Sequence, residues 1–239
     1  MTRVAILIDG GYFMRRLPRV QPKIDVSDPV VACTAVKRLI TSHLTRVNKV
    51  ARAAHPRSLL YRAFYYDAPP FMKKTQLPIS GKPFDFSKSP QAKFHHSLHE
   101  NPRRTSDLAV RLGELRDQKG AMWELHPRVL KDLLAKKRSF DTLTDADFRP
   151  TFRQKAVDIR IGLDIASITL KKQADIIILV AGDSDFVPAA KLARREGLKV
   201  ILDPLWQDPS AALFEHIDGV YSGFPSPNRP EQIEDKADP

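Results

Sequence analysis

The sequence predicts an α/β protein: a Rossmann-like, three-layer α/β/α sandwich around a mainly parallel central sheet. Short apolar runs alternate with amphipathic stretches, and residues 176–181 (IIILVA) are typical of a strand buried on both faces. Acidic residues follow directly on several of these runs. The chain of 239 residues, with 42% hydrophobic content, is long enough for one large domain with its own core.

Composition narrows the class of protein further. The single cysteine, Cys33, excludes an internal disulfide and lies in an apolar stretch, which favours a buried structural thiol and a cytoplasmic location. The first apolar run is cut off by Asp9, and no run reaches the roughly 18 residues of a membrane helix, so neither a signal peptide nor a membrane span is predicted. The net charge of +11 and the pI of about 9.8 favour a polyanionic partner such as nucleic acid.

The first predicted strand, residues 3–8 (RVAILI), ends directly in Asp9. Two glycines follow it and allow a tight turn, although they match no phosphate-binding glycine motif. A second strand is predicted at residues 59–66 (LLYRAFYY) and ends in Asp67, with an amphipathic crossover helix at residues 29–54 between the two strands. If the strands are parallel neighbours, both acids belong at the carboxyl edge of the sheet.

The middle of the chain carries weaker patterns. Residues 69–102, rich in Pro, Lys and Ser, are predicted to form a loop over the site. The histidines of this loop are expected to face solvent or RNA rather than to bind zinc: His95, His96 and His99. A helix is predicted over residues 106–119 and a third strand over 121–126 (AMWELH). Residues 127–153 are predicted to be a loop insertion, within which 129–134 (VLKDLL) fit either a helix or an edge strand.

The next predicted helix, residues 156–172, contains two acids. Asp158 lies in the first turn, where a negative charge is favourable near a helix N-terminus. Asp164 lies in the apolar middle of the helix, flanked by Leu163 and Ile165, where an unpaired carboxylate is costly. A metal cluster facing this position would explain Asp164.

Two further acids follow the central strand. Asp183 and Asp185 flank Ser184 after a turn at Gly182. Short polar residues are common in turns and helix caps, so a structural role is one interpretation. Two carboxylates at a strand tip repel each other unless a cation lies between them. The second interpretation is therefore that Asp183 and Asp185 bind a hard divalent ion, Mg²⁺ or Mn²⁺. The acids at the other strand ends favour the metal.

The remaining elements complete the sheet. A helix at residues 185–196 and a strand at 198–202 form a βαβ unit with the central strand, which predicts parallel strands and a right-handed crossover. A last helix is predicted at residues 210–217. Residues 1–224 are therefore predicted to form a single domain with loop insertions near 69–102 and 127–153, followed by a disordered tail at 225–239.

Three blocks of the sequence together resemble a known family. The blocks are residues 8–13 (IDGGYF), 155–166 (KAVDIRIGLDIA) and 179–188 (LVAGDSDFVP), and residues 65–70 (YYDAPP) fit the same pattern. They are similar to the NYN domain, the LabA-like branch of the PIN-like nuclease superfamily, and they occur in the order of that family. Each block alone is weakly specific, whereas the joint match spans most of the chain.

The resemblance implies a PIN-like fold and a metal-dependent ribonuclease that hydrolyses RNA phosphodiester bonds. The catalytic residues it predicts are Asp9, Asp158, Asp164, Asp183 and Asp185. All of these except Asp158 are also predicted ligands of Mg²⁺ or Mn²⁺. Asp158 takes the place of the second acid of the PIN pattern, and because that match is indirect, the site could hold either one metal ion or two. The predicted substrate-binding residues are Asp67, Tyr12, Lys155 and Ser184.

In such a site the metal would bind a phosphate oxygen, activate a water and stabilise the leaving oxygen, with Lys155 adding positive charge. The expected partner is RNA, either single-stranded or structured. The resemblance is also compatible with a homodimer. The alternative is a catalytically silent protein of the same fold that binds RNA or acts as an adaptor. A phosphotransfer protein ranks last, because no nucleophilic Asp with a suitably placed Lys and Thr or Ser is found.

Overall fold

The computed structural model describes residues 2–103, 105–117 and 122–227, with only the backbone at 116–117 and 152–154. The strands are β1 (Val4–Asp9), β2 (Leu60–Asp67), β3 (Lys74–Gln76), β4 (Pro83–Asp85), β5 (Leu108–Leu112), β6 (Glu114–Asp117), β7 (Trp123–Leu125), β8 (Phe148–Pro150), β9 (Phe152–Lys155), β10 (Ile176–Val180), β11 (Lys199–Asp203) and β12 (Gly219–Val220). The helices are α1 (Gly10–Val20), α2 (Pro29–Ala51), α3 (Pro90–Arg103), α4 (Pro127–Leu134), α5 (Val157–Leu170), α6 (Val187–Arg195) and α7 (Ala211–Phe214).

A six-stranded sheet runs through the centre in the order β12-β11-β10-β1-β2-β5, and every neighbouring pair is parallel. β1 lies between strands from the two halves of the chain, since Ile6 pairs with Ile178 on one side and with Ala63 on the other. The chain proceeds outward from β1 to β2 and β5, and later from β10 to β11 and β12. The strand order therefore reverses between β1 and β10, which is the switch point where α/β sheets bind ligands.

Helices cover both faces of the sheet. Successive side chains of β1 point to opposite faces, so Ile6 packs with α1 and α2 whereas Leu7 packs with α5 and α6. Both of these side chains are fully buried. The predicted Rossmann-like α/β/α sandwich is confirmed, and the apolar run of the central strand is buried as expected for a parallel sheet.

The helix predicted over residues 106–119 is wrong. Leu108 and Leu112 belong to β5, which pairs with β2 at the edge of the sheet, and the chain continues into β6, which pairs antiparallel with β9. Gly113 separates the two strands, and a Cβ at this position would lie 2.6 Å from the Lys155 carbonyl oxygen. The leucine spacing fits a helix, but pairing with distant strands decides the local structure.

The segments predicted to be loops also contain regular structure. Residues 69–102 hold the antiparallel pair β3–β4 and most of α3. Within 127–153, α4 confirms the helical alternative for residues 129–134. Within 121–126, β7 pairs antiparallel with β8 rather than joining the central sheet. Stacked and edge-on aromatic rings give this region a small core, in which the contacting rings of Phe71, Phe84, Phe86 and Trp123 have centroids 4.8 to 5.9 Å apart.

Other predictions are confirmed with small changes of boundary. The amphipathic patterns at 29–54 and 156–172 correspond to α2 and α5, and the helix predicted at 210–217 is the short α7. The Cys33 thiol is buried. Within the described ranges, no helix combines the length and apolar content needed to cross a bilayer. Most of the tail predicted at 225–239 lies outside the described residues.

Candidate active site

Acidic side chains collect at the carboxyl edge of the sheet, where β1 and β10 end side by side. Ile8 lies opposite Val180 in the register of these two strands. Asp9 is the last residue of β1, and Asp183 follows three residues after the end of β10. Both acids therefore lie at the switch point of the sheet.

Asp9 is held in place as the N-cap of α1. Its Oδ1 accepts a hydrogen bond of 2.9 Å from the backbone N–H of Tyr12. Burial raises the pKa of Asp9 to about 6, and the negative charges of Asp158 and Asp67 act in the same direction. The Tyr12 amide and Arg15 oppose this shift but do not cancel it. The ionised form of Asp9 is therefore costly at neutral pH unless a cation is near.

The other acids near Asp9 come from α5 and from the turn after β10. Asp158 is exposed at the start of α5, but partial desolvation and the negative charges of Asp183 and Asp185 raise its pKa. Asp183, and not Asp185, caps the turn after β10, since its Oδ1 accepts a hydrogen bond of 3.2 Å from the Asp185 N–H. Asp183 and Asp185 remain exposed to solvent. We call Asp9, Asp158, Asp183 and Asp185 the acidic cluster, because their charges act on one another and no histidine of the described ranges lies beside them. Among the described residues, no three of these four bring their carboxylate oxygens within 4.8 Å of one another.

Asp164 has other partners. Its Oδ2 accepts a hydrogen bond of 2.8 Å from the Tyr66 hydroxyl and lies 3.4 Å from the Arg111 Nε. Six residues separate Asp164 from Asp158 along α5, which corresponds to about 9 Å along the axis and about two-thirds of a turn around it. Asp164 therefore faces β2 and β5, and these two partners account for its carboxylate without a metal.

Tyr12 connects the two strand ends. Its ring is buried and its hydroxyl donates a hydrogen bond of 2.6 Å to the Pro204 carbonyl. A Cβ on Gly182 would lie 2.3 Å from the Tyr12 Cε2, so the turn that carries Asp183 rests directly on this ring. Tyr12 was a predicted substrate-binding residue, but its hydroxyl is engaged within the protein. Its contacts position Asp9 and Asp183.

We expect Gly182→Ala to destabilise the fold by about 1–3 kcal/mol, the usual cost of overpacking a closely packed position. The Tyr12 ring cannot retreat without losing its bond to Pro204, so the turn must move instead. Thermal unfolding measures the effect, and Gly162→Ala is the matched control. Gly162 lies within α5 with open space around its Cβ position, so that variant is expected to gain about 0.5–1 kcal/mol. Equal stability of the two variants would contradict the close contact.

Lys155 and Ser184 remain accessible. Lys155 is exposed at the end of β9, immediately before α5, and Ser184 is exposed between two members of the acidic cluster. Ala156 adopts a left-handed conformation, with φ of 66°, where the chain turns from β9 into α5. Both side chains are free to contact a ligand bound at the carboxyl edge.

Asp67, another predicted substrate-binding residue, is buried at the end of β2 beside two histidines of α3. The His99 Nε2 lies 2.8 Å and the His95 Nδ1 3.4 Å from the Asp67 Oδ2. Burial alone would raise the pKa of Asp67, but the two imidazoles hold it at about 2. We call Asp67, His95 and His99 the Asp–His cluster; one ligand atom from each lies within 4.8 Å of the others, so the cluster could hold a metal ion.

The Asp–His cluster corrects the prediction that the histidines face solvent or RNA. His96 is exposed as expected, but His99 is buried and His95 is about half-buried. The reason is that residues 90–103 form α3, which packs against α2 and β5 and thereby places His99 against the end of β2. The spacing of four between His95 and His99 was a usable signal, because it places both rings on one face of a helix.

A third strand-end acid has a purely structural role. Asp203, the last residue of β11, is fully buried 2.8 Å from the His43 Nε2. It also accepts hydrogen bonds from the Leu205 N–H, the Ser222 hydroxyl and the Gly223 N–H. These partners satisfy the carboxylate and tie the chain after β12 to the end of β11.

A parallel α/β/α sandwich with carboxylates gathered at its switch point defines an α/β protein of the PIN-like class. The family model of the NYN domain matches residues 3–213, and the chain therefore belongs to the NYN domain family, a part of the PIN-like nuclease superfamily. None of the curated proteins compared with the chain matches it.

Solved structures resemble the chain only distantly. A protein of unknown function, VPA0982 from Vibrio parahaemolyticus RIMD 2210633, is 16% identical with a TM-score of 0.46, over 93% of this chain and 95% of that chain. A complex described as Sir2-p53 peptide-NAD+ is 12% identical with a TM-score of 0.31, over 92% of this chain and 87% of that chain.

Proposed function

We propose that the protein is a metal-dependent ribonuclease that hydrolyses RNA phosphodiester bonds at the acidic cluster. The observation that supports this most directly is electrostatic. Burial of Asp9, partial desolvation of the exposed Asp158 and repulsion from neighbouring carboxylates raise the pKa of both acids at the switch point of the sheet. A divalent cation is the group that would relieve this repulsion. The pairs formed by Asp164 and Asp203 show that this chain satisfies its structural carboxylates in other ways.

The residues of the acidic cluster fit a hard divalent cation, Mg²⁺ or Mn²⁺, because carboxylate oxygens are the ligands that both ions prefer. Asp9, Asp158, Asp183 and Asp185 would hold it, and the exposure of the last two leaves the site open to a phosphate group. We assign Asp164, the fifth predicted catalytic acid, a positioning role for α5 through Tyr66. When bound, the ion would neutralise phosphate charge and lower the pKa of a bound water.

Side chains at the rim of the acidic cluster support the same proposal. Lys155 can neutralise a phosphate oxygen, and the Ser184 hydroxyl can donate a hydrogen bond to it. The net charge of +11 favours a polyanionic substrate through phosphate contacts and the release of counterions. RNA is thus the proposed substrate.

The test is cleavage of end-labelled single-stranded RNA by the full chain with Mn²⁺, Mg²⁺ or EDTA. We expect cleavage with either ion, none in EDTA, and recovery when the metal is added back in excess. An identically purified Asp183→Asn preparation controls for a contaminating ribonuclease. Cleavage that persists in EDTA would contradict the proposal.

One observation favours the alternative, a catalytically silent protein that binds RNA or a partner protein. Ile159 and Leu163 of α5 are 66% and 64% exposed beside Asp158, and exposed apolar side chains next to one another often mark a docking surface. The same experiment separates the two functions. RNA binding that is retained without cleavage under any of the metal conditions would support the silent protein.

A further inference from the structure

The Asp–His cluster has the geometry of a metal site. His95 and His99 lie four residues apart on α3, with ring centroids 5.8 Å apart, and Asp67 approaches from the end of β2. Ligands about 2.0–2.1 Å from a tetrahedral ion lie about 3.3–3.5 Å from one another. The distance of 3.4 Å between the Asp67 Oδ2 and the His95 Nδ1 already matches this value. The His99 Nε2, at 2.8 Å from the same oxygen, would have to retreat by roughly 0.5–0.7 Å to reach this spacing.

A structural hydrogen bond explains only part of this arrangement. The pair formed by Asp67 and His99 ties α3 to β2, and the second oxygen of Asp67 accepts a hydrogen bond of 2.7 Å from the Ala68 N–H. The His95 Nδ1 is buried as well, but its contact of 3.4 Å with the Asp67 Oδ2 is not a well-formed hydrogen bond, and the described part of the chain offers it no other. A buried polar atom without a partner is costly, and a metal ion would satisfy it. His95 is therefore the member that a structural role leaves unexplained.

The surroundings leave room for a further ligand. A cavity of about 150 Å³ adjoins Asp67 and His95, and apolar side chains from both sides line it, among them Pro69, Phe71 and Phe86. Its volume is several times the roughly 30 Å³ that a water molecule occupies in the liquid. Three protein ligands with an open position are typical of catalytic zinc sites, whereas structural sites are closed by four.

We propose that the Asp–His cluster is a second metal site, separate from the acidic cluster, that takes a transition ion such as Zn²⁺ in preference to Mg²⁺. Imidazole nitrogen is a ligand that suits zinc, copper, iron and nickel, whereas Mg²⁺ prefers oxygen. The two sites thus differ in their ligand atoms. The Asp–His cluster offers two imidazole nitrogens and one carboxylate, whereas the acidic cluster offers carboxylates alone. This inference does not depend on RNA cleavage.

The test is titration of the metal-free full chain with Co²⁺, which reports zinc-type sites by visible absorption. We expect the wild type to develop a saturable band at one equivalent, displaced by Zn²⁺ but not by a large excess of Mg²⁺. His95→Ala is expected to weaken binding at least about 100-fold, since the loss of an outer-shell partner alone costs about 10–100-fold. His95 is chosen because its side chain is only partly buried, so its removal endangers the fold less than removal of the buried His99.

Two variants serve as controls. His96→Ala removes the exposed histidine next to His95 and is expected to leave the Co²⁺ band unchanged. Asp183→Asn alters the acidic cluster and is also expected to keep the band, so that a failure of the ribonuclease proposal is distinguishable from a failure of this one. The inference is overturned if the wild type shows no saturable band, if His95→Ala keeps it, or if either control loses it.

Discussion

Asp183→Asn is expected to lower metal-dependent RNA cleavage by about 10²–10³-fold, the usual effect of removing one preorganised electrostatic group from a catalytic site. Asn keeps the shape of the side chain and an oxygen that can accept the hydrogen bond from the Asp185 N–H. The turn after β10 therefore stays capped while the negative charge is lost. The measurement is the initial rate of RNA cleavage in Mn²⁺, with thermal unfolding of the same samples.

The matched control for this substitution is Asp208→Asn. Asp208 is also exposed, in the chain between β11 and α7. Its replacement is expected to leave the cleavage rate unchanged and to change the free energy of unfolding by no more than about 0.5 kcal/mol. Undiminished cleavage by Asp183→Asn would mean that the reaction takes place elsewhere or in a contaminant.

Asp9→Asn is expected to lower metal-dependent RNA cleavage about as much as Asp183→Asn does. In EDTA at neutral pH, the same substitution is expected to make the protein more stable. The fold raises the pKa of Asp9 from 3.8 to about 6, so the folded state binds this proton more tightly than the unfolded chain does. Stability from this group is therefore greatest below about pH 4, falls as the pH rises to about 6, and stays low above it. A shift of about two units corresponds to roughly 3 kcal/mol, of which Asn is expected to recover about 1–3 kcal/mol.

Thermal unfolding in EDTA at pH 7.5 and at pH 4.5 measures this effect. The variant is expected to unfold several degrees above the wild type at pH 7.5, at about 2–4 °C per kcal/mol, with the difference shrinking at pH 4.5. Added Mn²⁺ is expected to stabilise the wild type more than the variant. A variant less stable than the wild type at pH 7.5 in EDTA would show that Asp9 is not under electrostatic strain.

Much of the fold was predictable because buried parallel strands have a strong signature. The apolar runs that became β1 and β10 are too short and too β-branched for helices, and the stripe of α5 repeats with a helical period. Residues 106–119 were not predictable in this way, since Leu108 and Leu112 fit a helical stripe equally well. Their structure depends on β2 and β9, which lie far away in the sequence.

The roles of the strand-end acids were less predictable than their positions. Asp9, Asp67 and Asp203 each end a strand, and the local sequence does not distinguish them. Their partners do: His99 lies beside Asp67, His43 beside Asp203, and other carboxylates near Asp9. Both histidines come from helices remote in sequence, so only the tertiary structure separates a satisfied carboxylate from one that calls for a cation.

The position of β1 between β10 and β2 has a consequence for the time at which an active molecule can exist. Polypeptides are synthesised from the N-terminus, so Asp9 leaves the ribosome long before Asp158, Asp183 and Asp185 do. Until β10 has emerged, β1 lacks its neighbour at the switch point, and the carboxylates that would share a cation are not yet together. On the proposed function, a growing chain could therefore cut no RNA until β10 and the turn after it have emerged and paired with β1.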